Sequence, residues 1–286
     1  MNKAGIIADL VRLRLSLAVT FSAVTGYFIH QPTSLDRLPL VIAGVFLLAS
    51  ASTVFNQISE RDYDSKMERT RTRPLPGSII STGRALLIAV SLLVSGTLVL
   101  LPAGIVPALL GLLTIVIYNV IYTRLKRVTH LAVVPGAVVG AIPPLIGYTA
   151  AGTDSLNPGI LVFATFMFMW QLPHFWLIII KYRDDYARAG FRTITDSYPE
   201  KKIRLLIFTW VLLSSILIMG SSLSGIIFGK DLNILLVTTN ILFIFLFRHY
   251  LFARDGKTST TPAFILINSF SLVLMLIFIF NSIFRG

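Results

Sequence analysis

The sequence predicts an all-α fold, a multi-pass transmembrane helical bundle of about nine spans, on three observations. Of 286 residues 55% are apolar and 13% charged, against roughly 25% charged in a soluble domain, and mean hydropathy is +0.80. The apolar residues come in runs near the roughly 20 residues that cross a hydrocarbon core. Basic residues gather in alternate connectors, as they do where one membrane face retains them.

The spans are expected over residues 14–30, 38–58, 84–101, 103–122, 130–150, 159–180, 204–225, 232–252 and 262–284. The first apolar run, Leu15 to Ile29, is followed directly by another span, so no cleavable leader is evident. The second runs off its end into a long charged stretch. Pro102 separates the third and fourth, Gly152 and Pro158 the fifth and sixth, and Gly229, Lys230 and Asp231 the seventh and eighth. Such residues suit short turns. The remaining connectors are long and charged. Residues 1–286 are expected to form a single transmembrane domain, with 59–83 and 181–203 as cytoplasmic active-site loops.

Formal net charge is +12, which in a soluble chain would suggest nucleic acid. With the N-terminus inside, 22 of the 25 basic residues, Arg254 and Lys257 among them, fall on the cytoplasmic side and only Arg37, Lys230 and Arg285 outside. That bias assigns the charge to topology rather than to a nucleic-acid partner and predicts a multi-pass protein of a bacterial inner membrane. The absence of cysteine excludes disulfides, thiolate metal sites and a cysteine nucleophile. Eight of the thirteen acids lie in two cytoplasmic loops: Glu60, Asp62, Asp64 and Glu68, then Asp184, Asp185, Asp196 and Glu200. A transporter is expected to hold ionisable groups near the midplane. Apart from His174 the spans carry none there, so the chemistry is expected at the cytoplasmic mouth.

The second span ends Asn56-Gln57-Ile58-Ser59-Glu60-Arg61-Asp62-Tyr63-Asp64. On a helix Asn56, Glu60 and Asp64 are successive i, i+4 neighbours whose oxygens line one stripe. Three such oxygens suit a hard cation. Magnesium takes one or two carboxylates and completes its shell with water and phosphate oxygens, and the arginines that follow can neutralise a diphosphate. Charges that merely face water and pair locally are the alternative reading of an acid–base run, and the four-residue spacing with an Asn at the apolar edge argues against it.

The stretch resembles the first motif of the UbiA-type intramembrane prenyltransferases, Asn-x3-Asp/Glu-x3-Asp followed by Arg-Thr-x-x-Arg-Pro. Asn56, Glu60, Asp64, Arg69, Thr70, Arg73 and Pro74 match it position by position. Tyr122, Lys126, Arg127 and Thr129 resemble the family's Tyr-x3-Lys-Arg-x-Thr element. Gly136 to Gly147, Trp170-Gln171-Leu172-Pro173-His174-Phe175-Trp176, and Asp185-Tyr186 with Ala189-Gly190 resemble the haem O synthases within it, the protoheme IX farnesyltransferases. The likeness runs over roughly residues 12–192; residues 203–286 carry no named motif. The chain departs from the pattern at Lys181, where many relatives have a second Asp-x3-Asp pair. It departs again at Arg192-Thr193 in place of Pro-Met, and at Arg12-Leu13-Arg14 in place of Lys-Pro-Arg.

The resemblance implies transfer of farnesyl from farnesyl diphosphate to a vinyl group of haem B, with Mg2+ as cofactor. It implies Asn56, Glu60, Asp64 and Asp185 as metal ligands and, with Lys126, as the catalytic set. Arg69, Arg73, Tyr122, Lys126 and Arg127 would bind the diphosphate, and Tyr118, Tyr122, Phe175 and Trp176 are candidates for an aromatic wall facing the allylic cation. His174, Trp170 and Trp176 would contact the haem, which is substrate and not cofactor; His30, His130 and His249 are assigned no role. The expected partners are both substrates and the lipid bilayer, with association with other haem-biosynthesis membrane enzymes, and no nucleic acid. Two alternatives stay open on sequence: a polyprenyltransferase with an aromatic or quinone-precursor acceptor, and a non-enzymatic membrane transporter or assembly protein that binds a divalent cation.

Overall fold

The computed structural model describes residues 3–152, 155–227, 229–252 and 260–285. A short helix α1 (Lys3–Leu10) leads into α2 (Leu13–Ile29), α3 (Leu38–Asp64) and α4 (Thr82–Leu100). Next come α5 (Ile105–Val116), a wide π-helical turn (Ile117–Tyr122) and α6 (Thr123–Leu125), which run on as one rod. Then follow α7 (Val133–Ala150), α8 (Pro158–Lys181), α9 (Arg183–Ala189), α10 (Ile194–Ser197), α11 (Glu200–Leu223), α12 (Lys230–Leu251) and α13 (Thr261–Arg285). Among the described residues eight helices are long and apolar enough to cross a membrane, and Leu13–Ile29 is a shorter apolar ninth. Each of the nine expected spans therefore coincides with a helix, eight of them long enough to cross. Arg254 and Lys257 lie outside the described residues.

Three differences concern the site. Helix α3 continues to Asp64, so the first part of the expected 59–83 loop is helical and carries Glu60 and Asp64 on the same rod as Asn56. The expected 181–203 loop contains α9 and α10 and the first turn of α11, the last opened by Pro199. Helix α1 had no sequence expectation. It is tied down where Gln57 Nε2 donates to the carbonyls of Asp9 (3.2 Å) and Leu10 (2.7 Å).

Without a hydrophobic force between spans, small residues let helix backbones approach. At the contact of α2 with α7 a Cβ on Gly147 would lie 1.8 Å from the Ala23 carbonyl oxygen, and one on Gly26 1.9 Å from that of Pro144. Only glycine permits this crossing. The other half of the bundle is packed by aromatic side chains: Phe243 of α12 stacks on Phe270 of α13 at 4.0 Å, and Phe163 of α8 meets Phe278 of α13 at 5.1 Å. One end of the bundle is closed by sparse polar contacts, with Arg37 Nη1 donating to the Ala150 carbonyl at 3.4 Å and Asn157 Nδ2 to that of Ile29 at 3.5 Å. The opposite end carries the segments after α3, α6 and α8 and with them nearly all the ion pairs.

Candidate active site

At that charged end Asn56, Glu60 and Asp64 are only 1%, 3% and 4% exposed. Burying a carboxylate is costly unless a charge or hydrogen bond compensates, and each member of the stripe has its own partner. Lys126 Nζ forms an ion pair with Glu60 Oε1. Arg73 Nη1 donates to Asp64 Oδ2 at 2.8 Å. Arg12 Nη2 donates to Asn56 Oδ1 at 3.3 Å, from a residue held in the left-handed region at φ 45°. The orientation of the Asn56 amide follows from Thr123. The Thr123 hydroxyl spends its proton on the Tyr118 carbonyl at 2.8 Å, so its oxygen accepts from Asn56 Nδ2 at 3.2 Å and the Asn56 carbonyl oxygen turns toward Arg12.

The cations are delivered by two local devices. The π turn inserts an extra residue of backbone, a distortion that recurs at functional sites. It carries Tyr118 and Tyr122, whose rings stack at 5.3 Å, and leads directly to Lys126, whose ammonium lies 5.4 Å from the Tyr122 ring and 5.1 Å from that of Phe191. Burial lowers the Lys126 pKa and Glu60 opposes the shift. The second device is the segment after α3. Thr70 Oγ1 donates to the Asp64 carbonyl at 2.8 Å, Leu75 is fully buried, and between them the chain folds Arg73 back onto Asp64. Burial and the neighbouring Arg12 charge bring the Arg73 pKa down to about 10 against the pull of Asp64, so the guanidinium stays charged at neutral pH.

The other expected site residues divide into those near the stripe and those held elsewhere. Tyr122 stacks on Phe175 of α8 at 5.9 Å, giving with Tyr118 a continuous aromatic wall beside Lys126. Arg127 turns aside, donating to the Ser59 carbonyl at 2.7 Å and lying 4.7 Å from the Tyr63 ring; Arg69 lies 4.8 Å from the Tyr182 ring. Asp185, expected among the metal ligands, is engaged differently: its oxygens accept from the backbone N–H groups of Glu68 (3.1 Å) and Arg69 (3.2 Å), and it pairs with Arg188. Among the described residues no three His, Cys, Asp or Glu side chains gather as a metal cluster. The donor set that fits a hard cation is two carboxylates and one carboxamide, the few-ligand arrangement of magnesium bound together with phosphate.

The expected haem contacts do not converge. Trp170 and His174, one turn apart, share a face of α8 with rings 4.7 Å apart against Phe264 of α13, and Trp170 Nε1 donates to the Ile267 carbonyl at 2.9 Å. Trp176 points away from that pair into a cleft with Leu172, Val133 and Trp210. Sequence reading missed the contact of Arg12 with Asn56, the hydrogen bond of Thr123 that orients Asn56, and Phe191. The partners of Arg12 and Phe191 are remote in sequence, so no period announces them; Arg188, three residues after Asp185, had the spacing of a helical ion pair as a signal.

Known proteins resemble this chain in sequence and in fold. The model of the UbiA prenyltransferase family matches residues 19–275. A protoheme IX farnesyltransferase of Geobacter sulfurreducens is 42% identical over 186 residues, 65% of this chain and 69% of that protein. One of Christiangramia forsetii is 37% identical over 222 residues, 75% of this chain and 73% of that protein. Among solved structures a digeranylgeranylglyceryl phosphate synthase superposes with a TM-score of 0.78 at 19% identity, covering 99% of both chains. A UbiA homologue from Archaeoglobus fulgidus bound to GPP and Mg2+ superposes with a TM-score of 0.73 at 16% identity, covering 97% of this chain and 98% of that one. At these identities the structural likeness establishes the fold, and the sequence likeness establishes kinship: the chain is a multi-pass membrane enzyme that belongs to the UbiA prenyltransferase family, where the relatives it matches are protoheme IX farnesyltransferases.

Proposed function

We propose that the protein transfers the farnesyl group of farnesyl diphosphate to a vinyl group of haem B, yielding haem O, at the charged end of its bundle. The reaction class is carried by one observation, the buried Asn56–Glu60–Asp64 stripe with a cation of the chain on each member. The choice of acceptor is supported by the relatives named protoheme IX farnesyltransferase, at 42% and 37% identity. The charged end is assigned to the cytoplasmic face of a bacterial inner membrane, on the distribution of basic residues.

Asn56, Glu60 and Asp64 would hold magnesium, which supplies positive charge against the departing diphosphate. When the diphosphate binds, Arg73 and Lys126 exchange a carboxylate partner for phosphate oxygens, where negative charge grows as the C–O bond breaks. Arg69 and Arg127 swing from Tyr182 and Tyr63 to the outer phosphate oxygens. The Tyr118–Tyr122–Phe175 wall presents π faces to the allylic cation. The haem vinyl carbon attacks farnesyl C1, and water adds to the resulting cation with loss of a proton, leaving a hydroxyethylfarnesyl side chain. Asp185 is assigned the part of a positioning residue that fixes the Glu68–Arg69 backbone, and through it Arg69.

The test is detergent-purified protein incubated with haem B, farnesyl diphosphate and magnesium and scored by mass spectrometry, beside an Asp64→Asn control. A magnesium-dependent farnesylated haem, lost in the control, is the expected result. Folded protein that yields no such product but prenylates an aromatic acceptor would overturn the haem assignment and leave the prenyl transfer.

A further inference from the structure

Beside the aromatic wall the charged end opens sideways. A cleft of about 440 Å3 lies between the start of α7, the middle of α8 and the segment from Ile194 to Trp210. That size falls within the range of small-molecule sites, about 300–1,000 Å3. Its walls are Val133, Val134, Leu172 and Leu206 with the indoles of Trp176 and Trp210, and its rim carries Tyr198 and Lys202. A smaller cavity of about 40 Å3 adjoins it and reaches Tyr122, Lys126, Phe175 and Arg192. The two cavities meet at His130 and Val133, which line both.

We infer that this lateral cleft is the docking site of the porphyrin acceptor, with the macrocycle between Trp176 and Trp210 and the propionate edge at the rim, on Lys202. The inference rests on the haem O reading above and adds to it a place for the acceptor. Three features select a flat apolar dianion. Indole faces suit a π-rich disc. Cations line both cavities, Lys202 the outer and Lys126 with Arg192 the inner. The acids close by are already committed: Asp196 accepts from the Thr193 backbone N–H at 2.7 Å and Glu200 from Arg204 at 2.5 Å, so neither faces the propionates unpaired. The inner cavity ends on Lys126 and the Tyr122–Phe175 stack, so a disc entering from the bilayer side brings its leading edge toward the carbon that loses diphosphate. His174 lines neither cavity.

The test compares full-length wild type with Leu206→Trp, which fills the cleft from its membrane side, and Lys202→Glu, which reverses the rim charge on an exposed position and leaves the packing intact. Haem B affinity is read by absorbance titration in detergent, and KM is read separately for haem B and farnesyl diphosphate. Leu206→Trp is expected to weaken haem binding about tenfold and Lys202→Glu about threefold, with the farnesyl diphosphate KM unchanged in both. If wild type makes haem O while both variants keep wild-type haem affinity, the cleft is not the acceptor site and holds only lipid, and the haem O reading survives. If wild type neither binds haem B nor makes haem O, the reading itself fails and the docking site with it.

Discussion

The two halves of the proposed site are built on opposite principles. On the diphosphate side, Asn56, Glu60 and Asp64 lie on one helix stripe, each fixed by a named hydrogen bond or ion pair. On the acceptor side, a cleft is enclosed by apolar surfaces of α7, α8 and α11, with few polar groups and no single element that defines it. The first half is specified by charge at a helical spacing and the second by shape assembled from separate helices. Mutations should therefore act on them differently: through charge and nearly all-or-none on the first, through fit and gradually on the second.

The largest break in that contrast is Asp64→Asn. The carboxamide keeps the size of the side chain, loses a negative ligand and leaves Arg73 with a weaker partner, so kcat/KM should fall about a thousandfold while the protein stays folded. Steady-state kinetics with a magnesium titration checks it. Retention of more than a tenth of wild-type activity would remove Asp64 from the metal site.

Next is Lys126→Met, which leaves Glu60 buried without its cation. Stranding one member of a buried pair costs about 3 kcal/mol, so thermal unfolding in detergent should come markedly earlier. Adding Glu60→Gln should restore stability, because no charge is then left unpaired, while activity stays lost. A double variant as unstable as the single one would show that Lys126 holds the fold by packing rather than by charge balance.

On the acceptor side the effects should be smaller and confined to haem. Trp176→Phe removes part of the cleft wall and should raise the haem KM about fivefold with the farnesyl diphosphate KM unchanged. His174→Phe, among Trp170, Phe175 and Phe264, should change either constant by less than about twofold. A large, haem-specific effect at His174 would move the acceptor to the opposite face of α8.

The same contrast governs what the sequence disclosed. The nine spans were legible because each is a long apolar run, and the stripe because i, i+4 spacing is a property of one helix. The continuation of α3 to Asp64 was less so: Glu60 and Asp64 look like loop residues in a hydropathy profile, whereas the helix carries both inside, where they are buried and paired with Lys126 and Arg73. Trp170, His174 and Trp176 belong together as one motif of the family resemblance, yet a helix sends Trp176 to another face. The cleft it lines was invisible because Val133, Leu206 and Trp210 come from segments with no shared pattern, and His130, at a span end, carries no signal of its own.

A local effect, read in exchange rather than in turnover, tests the clamp between these two modes. Asp185 sits on α9 and accepts from the Glu68 and Arg69 N–H groups, so it orders the segment that carries Arg69 without standing on the stripe. Burial alone would raise its pKa; the hydrogen bonds from Arg188, Arg69 and Glu68 outweigh that and leave it below the ordinary aspartate value of 3.8. A depressed carboxylate pKa means the clamp contributes fully above the unfolded value and fades as pH falls through the folded one. Hydrogen exchange at the Glu68 and Arg69 amides, corrected for intrinsic rate, should therefore stay protected as pH falls to the ordinary aspartate value and lose protection only as it falls further. Asp185→Asn keeps an acceptor but not the charge, so its exchange should be faster by about threefold at neutral pH and show no acid step. If the variant instead loses activity as completely as Asp64→Asn while those amides remain protected, Asp185 acts on the metal directly and the clamp is incidental.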